Sequence, residues 1–234
     1  MKKIISGITG ALATTAMFLT CGAASSSAHQ QGGALNWEQA VTIREHINTR
    51  HAQAELAATE RKYHGRFADT WADDNAWWIQ ALVAGYRATG NRAYLTEAQR
   101  LWSYDTSHSW SGKCGGAIRQ HPGGPQDAIA NGAYAVASIM LGHNASHISA
   151  WLAGHLQAKS GLIEEQVGPD CQAEGTAPAL GAEAEAVVVF NATGRHADAL
   201  RVEHYVSTHP TSLNLVSEDG IFNGLYHRVT GSQP

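Results

Sequence analysis

Apolar residues recur along this chain at helical spacing, and the recurrence itself repeats. Ile79, Leu82, Val83 and Tyr86 stand at i, i+3, i+4 and i+7 before Gly90, and Tyr94, Leu95, Ala98, Leu101 and Trp102 follow it. Ile129, Ala133, Val136, Ala137 and Met140 lead to Gly142, with Ile148, Trp151 and Leu152 beyond it. Leu180, Ala184, Val187 and Val188 lead to Gly194, and a weaker stripe of Ala199, Val202 and Val206 follows. The glycines are evenly spaced, 142 − 90 and 194 − 142 both being 52, and Tyr86–Ala93 resembles Phe190–Ala197. Glycine stops a helix by entering the left-handed region without a Cβ clash, so each unit predicts a helical hairpin. Upstream, Trp37, Val41, Arg44 and Ile47 predict another long helix that continues to about Leu56. No segment alternates as a strand for more than a few residues, and the β-rich Val187–Phe190 sits inside a helical repeat. The fold class is therefore all-α. Tandem hairpins stack as an open solenoid or close into a toroid, and periodicity does not choose between them.

The first residues break the pattern. Lys2 and Lys3 precede an uncharged run from Ile4 to Leu19, and Ser26-Ser27-Ala28 supplies a small-residue cleavage site. Residues 1–28 read as a secretory signal peptide, which leaves residues 29–234 as one domain of a secreted, extracellular or cell-envelope protein. The mature chain has no run apolar enough to span a bilayer. Cys21 offers a lipid-attachment alternative, although Phe18 stands where such signals usually carry Leu. Removing the leader leaves Cys114 and Cys171, an even count in an oxidising compartment, so these two are expected to pair and close a loop of 171 − 114 = 57 residues. Two free thiols are the alternative. Without its two leader lysines the chain carries 14 Lys+Arg against 20 Asp+Glu, a net charge of −6, and no basic patch invites nucleic acid.

The chemistry concentrates in Trp71-Ala72-Asp73-Asp74-Asn75-Ala76-Trp77-Trp78. Glycoside hydrolysis needs one carboxyl to protonate the leaving oxygen and another to attack the anomeric carbon or activate water, while flat rings hold the sugar. On a helix Trp77 lies one turn beyond Asp73, and Trp77 and Trp78 lie three and four residues beyond Asp74, so acids and rings share a side. The plainer reading makes the two aspartates caps at the positive end of a helix. Downstream, the Gly-rich loop Trp110–Ile118 carries Cys114 and the loop Gly168–Thr176 carries Cys171. A Cys114–Cys171 bond would place both loops on one rim.

Four stretches together resemble glycoside hydrolase family 76. They are Asp73-Asp74-Asn75-Ala76-Trp77-Trp78, the loop Trp110–Ile118, Asp127-Ala128-Ile129-Ala130-Asn131, and Gly175-Thr176 ahead of Leu180-Gly181-Ala182. That family contains endo-acting α-1,6-mannanases built as (α/α)6 toroids that use an adjacent Asp pair with net retention. The resemblance implies Asp73 as nucleophile and Asp74 as general acid/base, with Trp77, Trp78, Trp110 and Asn131 as candidate substrate contacts. It implies α-mannan as the polysaccharide partner, a monomer, and no cofactor. Two departures stand out. Cys171-Gln172-Ala173-Glu174-Gly175 replaces an aromatic-rich stretch ending in Asn-Gln-Gly, so Glu174 stands where the family has an amide. Six hairpins at a period of 52 would need about 312 residues, whereas the mature chain holds about four, so the toroid is expected to be incomplete. Ile221–Arg228 also resembles a family segment that further helices normally follow.

Two rival readings come from the same residues. A truncated, noncatalytic mannan- or glycan-binding module follows from the short C-terminus and Glu174. A metal site at His143 and His147, four apart, lacks the Glu of an HExxH motif, and no metal is expected. Asn144-Ala145-Ser146 and Asn191-Ala192-Thr193 are glycosylation sequons that fall at turns.

Overall fold

The structure is a computed structural model that describes residues 36–63, 67–175 and 180–209. The expected signal peptide, Cys21, Thr176 and Ile221–Arg228 lie outside the described residues. Within them the chain forms four helical hairpins: α1 (Trp37–Glu45) with α2 (Arg50–Tyr63), α3 (Ala72–Thr89) with α4 (Arg92–His108), α5 (Ala128–Leu141) with α6 (Ser146–Trp151), and α7 (Leu180–Ala192) with α8 (His196–Thr208). Helix α6 runs on into a π-helical turn, Leu152–Leu156. Gly90, Gly142 and Gly194 all sit where the 52-residue period puts them, with φ of 73°, 83° and 80°. A side chain there would strain the backbone, which is why glycine marks each turn.

The expected long first helix is in fact two. Thr49 divides it: its hydroxyl accepts from the Ala52 N–H (3.2 Å) and donates to the His46 carbonyl (2.8 Å). A threonine bonded in this way caps a new helix and competes with continuation of the old one.

Burial sorts the helices into two layers. Thirteen of the 18 residues of α3 are buried, as are ten of 14 in α5 and ten of 13 in α7, against five of 17 in α4 and three of 13 in α8. The inner row is α1–α3–α5–α7, each packed on the next, with its hairpin partner outside. Helices α3, α5 and α7 are buried on most of their surface because neighbours cover them, while the outer ones keep a single apolar stripe. No helix among the described residues is long and apolar enough to cross a membrane.

Short β-hairpins connect outer helices to the next inner ones. β1 (Trp110–Ser111) pairs antiparallel with β2 (Ala117–Ile118) after α4, and β3 (Gln166–Val167) with β4 (Ala173–Glu174) after α6. Residues flanking these hairpins satisfy orphan N–H groups that open the inner helices. The Ala72 N–H donates to the Gln120 carbonyl and the Ala128 N–H to the Glu165 carbonyl, both at 2.8 Å. In the reverse direction the Glu183 carboxylate of α7 accepts the Ile163 N–H at 3.0 Å. The starts of α3, α5 and α7 are thereby brought to one end of the molecule with the loops.

Candidate active site

Asp73 and Asp74 occupy the first turn of α3, and Asp73 Oδ1 accepts the Asp74 N–H at 3.1 Å. Each is only 1% exposed. The folded chain gathers further carboxyls around them from other elements: Asp69 before α3, Asp105 on α4, Asp127 at the start of α5 and Glu185 on α7. Asn75 ties two of these together, donating to the Asp69 carbonyl (2.9 Å) and Asp105 Oδ1 (2.7 Å) while accepting from the Asp69 N–H (2.8 Å).

Crowding acids in a dry space keeps protons on them. Burial pushes the Asp74 carboxyl up to about 9, and the negative charges of Asp73, Asp69 and Asp105 push the same way. Asp74 Oδ1 has no hydrogen-bond partner, so nothing local offsets the loss of water. Burial also holds Asp105 well above the usual carboxylate range, against the pull of the Asn75 amide. Asp127 is raised by burial and then by Asp73, although it caps α5 by accepting the Ala130 N–H at 3.0 Å. Glu185 is raised to about 8 by burial, partly offset by the Trp77 hydrogen bond.

The aromatic and amide candidates fall differently. Trp77 is buried, with its ring against Trp37 (centroids 4.8 Å apart) and its Nε1–H donated to Glu185 Oε1 at 2.9 Å. Trp78 is fully buried against Phe67, centroids 5.0 Å apart. These rings form core, Trp77 being 4% exposed and Trp78 fully buried. A common helical side says nothing about solvent when the helix is covered all round. Asn131 is also fully buried: it accepts the Ile118 N–H (2.8 Å) and donates to the carbonyls of Ile118 (2.8 Å) and Asp127 (2.7 Å). It fastens the β1–β2 hairpin to α5, and these bonds engage both ends of its amide. Trp110, by contrast, is 40% exposed, resting near His147 with ring centroids 5.7 Å apart.

Cys114 and Cys171 are disulfide-bonded, with Cα atoms 5.2 Å apart. The two hairpins they join wall one cavity of about 570 Å³, lined by Lys113, Arg119, Gln126, Gln166 and Glu174 among others. The two loops thus share one rim. Gln126 fixes the first of them by donating to the Ser111, Lys113 and Ala117 carbonyls (3.2, 3.1 and 3.3 Å). Glu174, the departure from the family pattern, accepts from Gln166 at 3.0 Å. Neither Asp73 nor Asp74 lines this cavity. The link between them is the 126–127 step, with Gln126 in the cavity wall and Asp127 in the field of Asp73. His143 stacks on Trp102 (4.0 Å) while His147 Nε2 bonds the Gly116 carbonyl (2.8 Å), so the two histidines serve different neighbours.

The arrangement of inner helices, loops and carboxyls can be compared with solved structures. It matches the α-1,6-mannanase of Salegentibacter sp. HEL1_6 with a TM-score of 0.68 at 18% identity, covering 85% of this chain and 72% of that one. The fold is that of glycoside hydrolase family 76. An inactive variant of the same mannanase, changed at two consecutive aspartates and bound to α-1,6-mannotetraose, matches at TM-score 0.66 and 19% identity over 82% of this chain and 68% of that one. The Lin0763 protein of Listeria innocua matches at TM-score 0.65 and 17% identity over 82% of this chain and 66% of its own. The chain thus spans about two thirds of the length of these three structures. No protein-family model matches the sequence, and no curated protein does.

What sequence reasoning missed is the ring of acids beyond the Asp73-Asp74 pair. Asp105 and Glu185 gave a usable signal, since each interrupts the buried stripe of its helix.

Proposed function

We propose that the protein is a secreted glycoside hydrolase that cleaves α-1,6-mannosidic linkages with retention of configuration. The observation that carries this reading is the adjacent pair at the start of α3, in which Asp74 holds a proton at neutral pH beside Asp73. Neighbouring residues at a helix end supply the short carboxyl separation, roughly 5 Å, that retention requires. Asp73 attacks the anomeric carbon as Asp74 gives its proton to the departing glycosidic oxygen, leaving a mannosyl ester on Asp73. Asp74, now a carboxylate, takes a proton from water; the hydroxide oxygen displaces Asp73, and the cycle closes. The family 76 fold and the mannanase whose paired aspartates were replaced to inactivate it support the assignment.

The near-complete burial of both carboxyls favours a second reading, a noncatalytic glycan-binding module. Product analysis on α-1,6-linked mannan separates the two. The wild type is expected to release reducing ends, and Asp73→Asn and Asp74→Asn each to lose at least about 100-fold while remaining folded. Mannan binding by the wild type without cleavage would replace the hydrolase with the binding module.

A further inference from the structure

We propose that Glu185 is a positioning residue of this site: its buried carboxyl accepts from the Trp77 indole and holds it, and with it the first turn of α3, in a pH-dependent way. For catalysis the proposal rests on the hydrolase reading; the coupling between Glu185 and Trp77 does not.

Glu185 sits in the middle of α7, flanked by the buried Ala184, Ala186, Val187 and Val189. A carboxyl in such a run is expensive unless it does something an apolar residue could not. One oxygen, Oε1, accepts the Trp77 N–H at 2.9 Å from the facing inner helix, across 108 residues of sequence. The other, Oε2, is buried with no hydrogen-bond partner. The space is made to fit, since a Cβ at Gly132 on α5 would stand 2.9 Å from Oε2. Trp77 is one helical turn from Asp73, so fixing the indole fixes the rotation of α3 that aims Asp73.

The charged groups facing Glu185 set its state. From α3 the negative Asp73 disfavours a second charge, and from α1 the positive Arg44 favours one. Arg44 is also engaged by its donation to Gln80 Oε1. On its own helix Glu183 is itself held protonated, near 8, by burial. Burial and Asp73 prevail over Arg44 and the indole, leaving Glu185 neutral until about pH 8. Above that, a new negative charge on Glu185 repels the Asp73 carboxylate from its aim.

Two titrations of the full chain test this. Tryptophan fluorescence of the wild type is expected to show a step centred near pH 8. Glu185→Gln and, independently, Trp77→Phe should both abolish that step. On α-1,6-mannan the alkaline limb of kcat should move up by about one pH unit in Glu185→Gln, toward the ionisation of Asp74, with the change carried by kcat rather than KM. A step that survives in both variants, or an unmoved alkaline limb in a Glu185→Gln protein that cleaves mannan, overturns the proposal. A step lost in both variants of a protein that cleaves no mannan supports the Glu185–Trp77 coupling and overturns the hydrolase reading instead.

Discussion

Asp74 is a carboxyl that the fold would be more stable without. Its ordinary value of 3.8 rises to about 9 in the folded chain, so between those limits the folded state binds a proton that the unfolded state has released. Stability then falls as pH rises from about 4 to about 9, the sign expected for an acid whose folded pKa is raised. Asp74→Asn removes the titration while keeping shape, and it should stabilise the fold at about pH 8.5 by roughly 1–3 kcal/mol, or several degrees in Tm. At about pH 5 most of that gain should vanish, because the wild-type carboxyl then sits far below its folded pKa. Calorimetry at the two pH values checks it; a variant less stable at both would show that the proton on Asp74 makes a bond that the amide cannot replace. Asn131 predicts the opposite. Its side chain holds both polar groups of Ile118, so Asn131→Ala strands a buried N–H and C=O and should cost about 2–4 kcal/mol in urea unfolding. At this scale the adjacency of Asp73 and Asp74 at the start of a helix was visible in the letters. The burial of Trp77, Trp78 and Asn131 was not legible, because spacing shows which residues share a side of α3 or α5 and not whether that side meets water.

The hairpins were legible as elements because one physical requirement, a positive φ at the turn, leaves one residue type at a fixed interval. Gly90 and Gly142 have open space where a Cβ would go, so substitution there meets strain alone. Gly90→Ala and Gly142→Ala should each cost about 1–2 kcal/mol in urea unfolding, without change in helix content by circular dichroism. Gly132→Ala differs in kind: the helix gains propensity, but the new methyl group meets Glu185 Oε2 at 2.9 Å, and the loss should appear in the Glu185 titration as well as in stability. The division of the first helix at Thr49 was missed because an apolar stripe runs through residues 41–47 whether or not the backbone stops. A threonine can cap or continue, and only its bonds to His46 and Ala52 decide. The two short β-hairpins carried no periodic signal at all, each strand being two residues long.

For the whole molecule, the helices and the rim are stabilised by different means. The inner row is held by apolar contact along its length, whereas the cavity wall consists of two polar loops with little core of their own, joined by Cys114–Cys171. Closing a 57-residue loop removes chain entropy from the unfolded state worth about 4 kcal/mol on the simple loop-closure account. Cys114→Ser/Cys171→Ser should therefore lower Tm by several degrees, and reductant should lower the wild-type Tm while leaving that of the double variant unmoved. The helical signal before the transition should be unchanged, because α3, α5 and α7 do not depend on the bond for their packing. Mannan cleavage should fall further than the stability loss explains when assayed well below Tm. Once the hairpins part, Gln126 and Asp127 lose the backing that connects the cavity to the Asp73 cluster. A doubly substituted protein with wild-type turnover would show that the rim and the carboxyls work separately, and that substrate reaches Asp73 by another path.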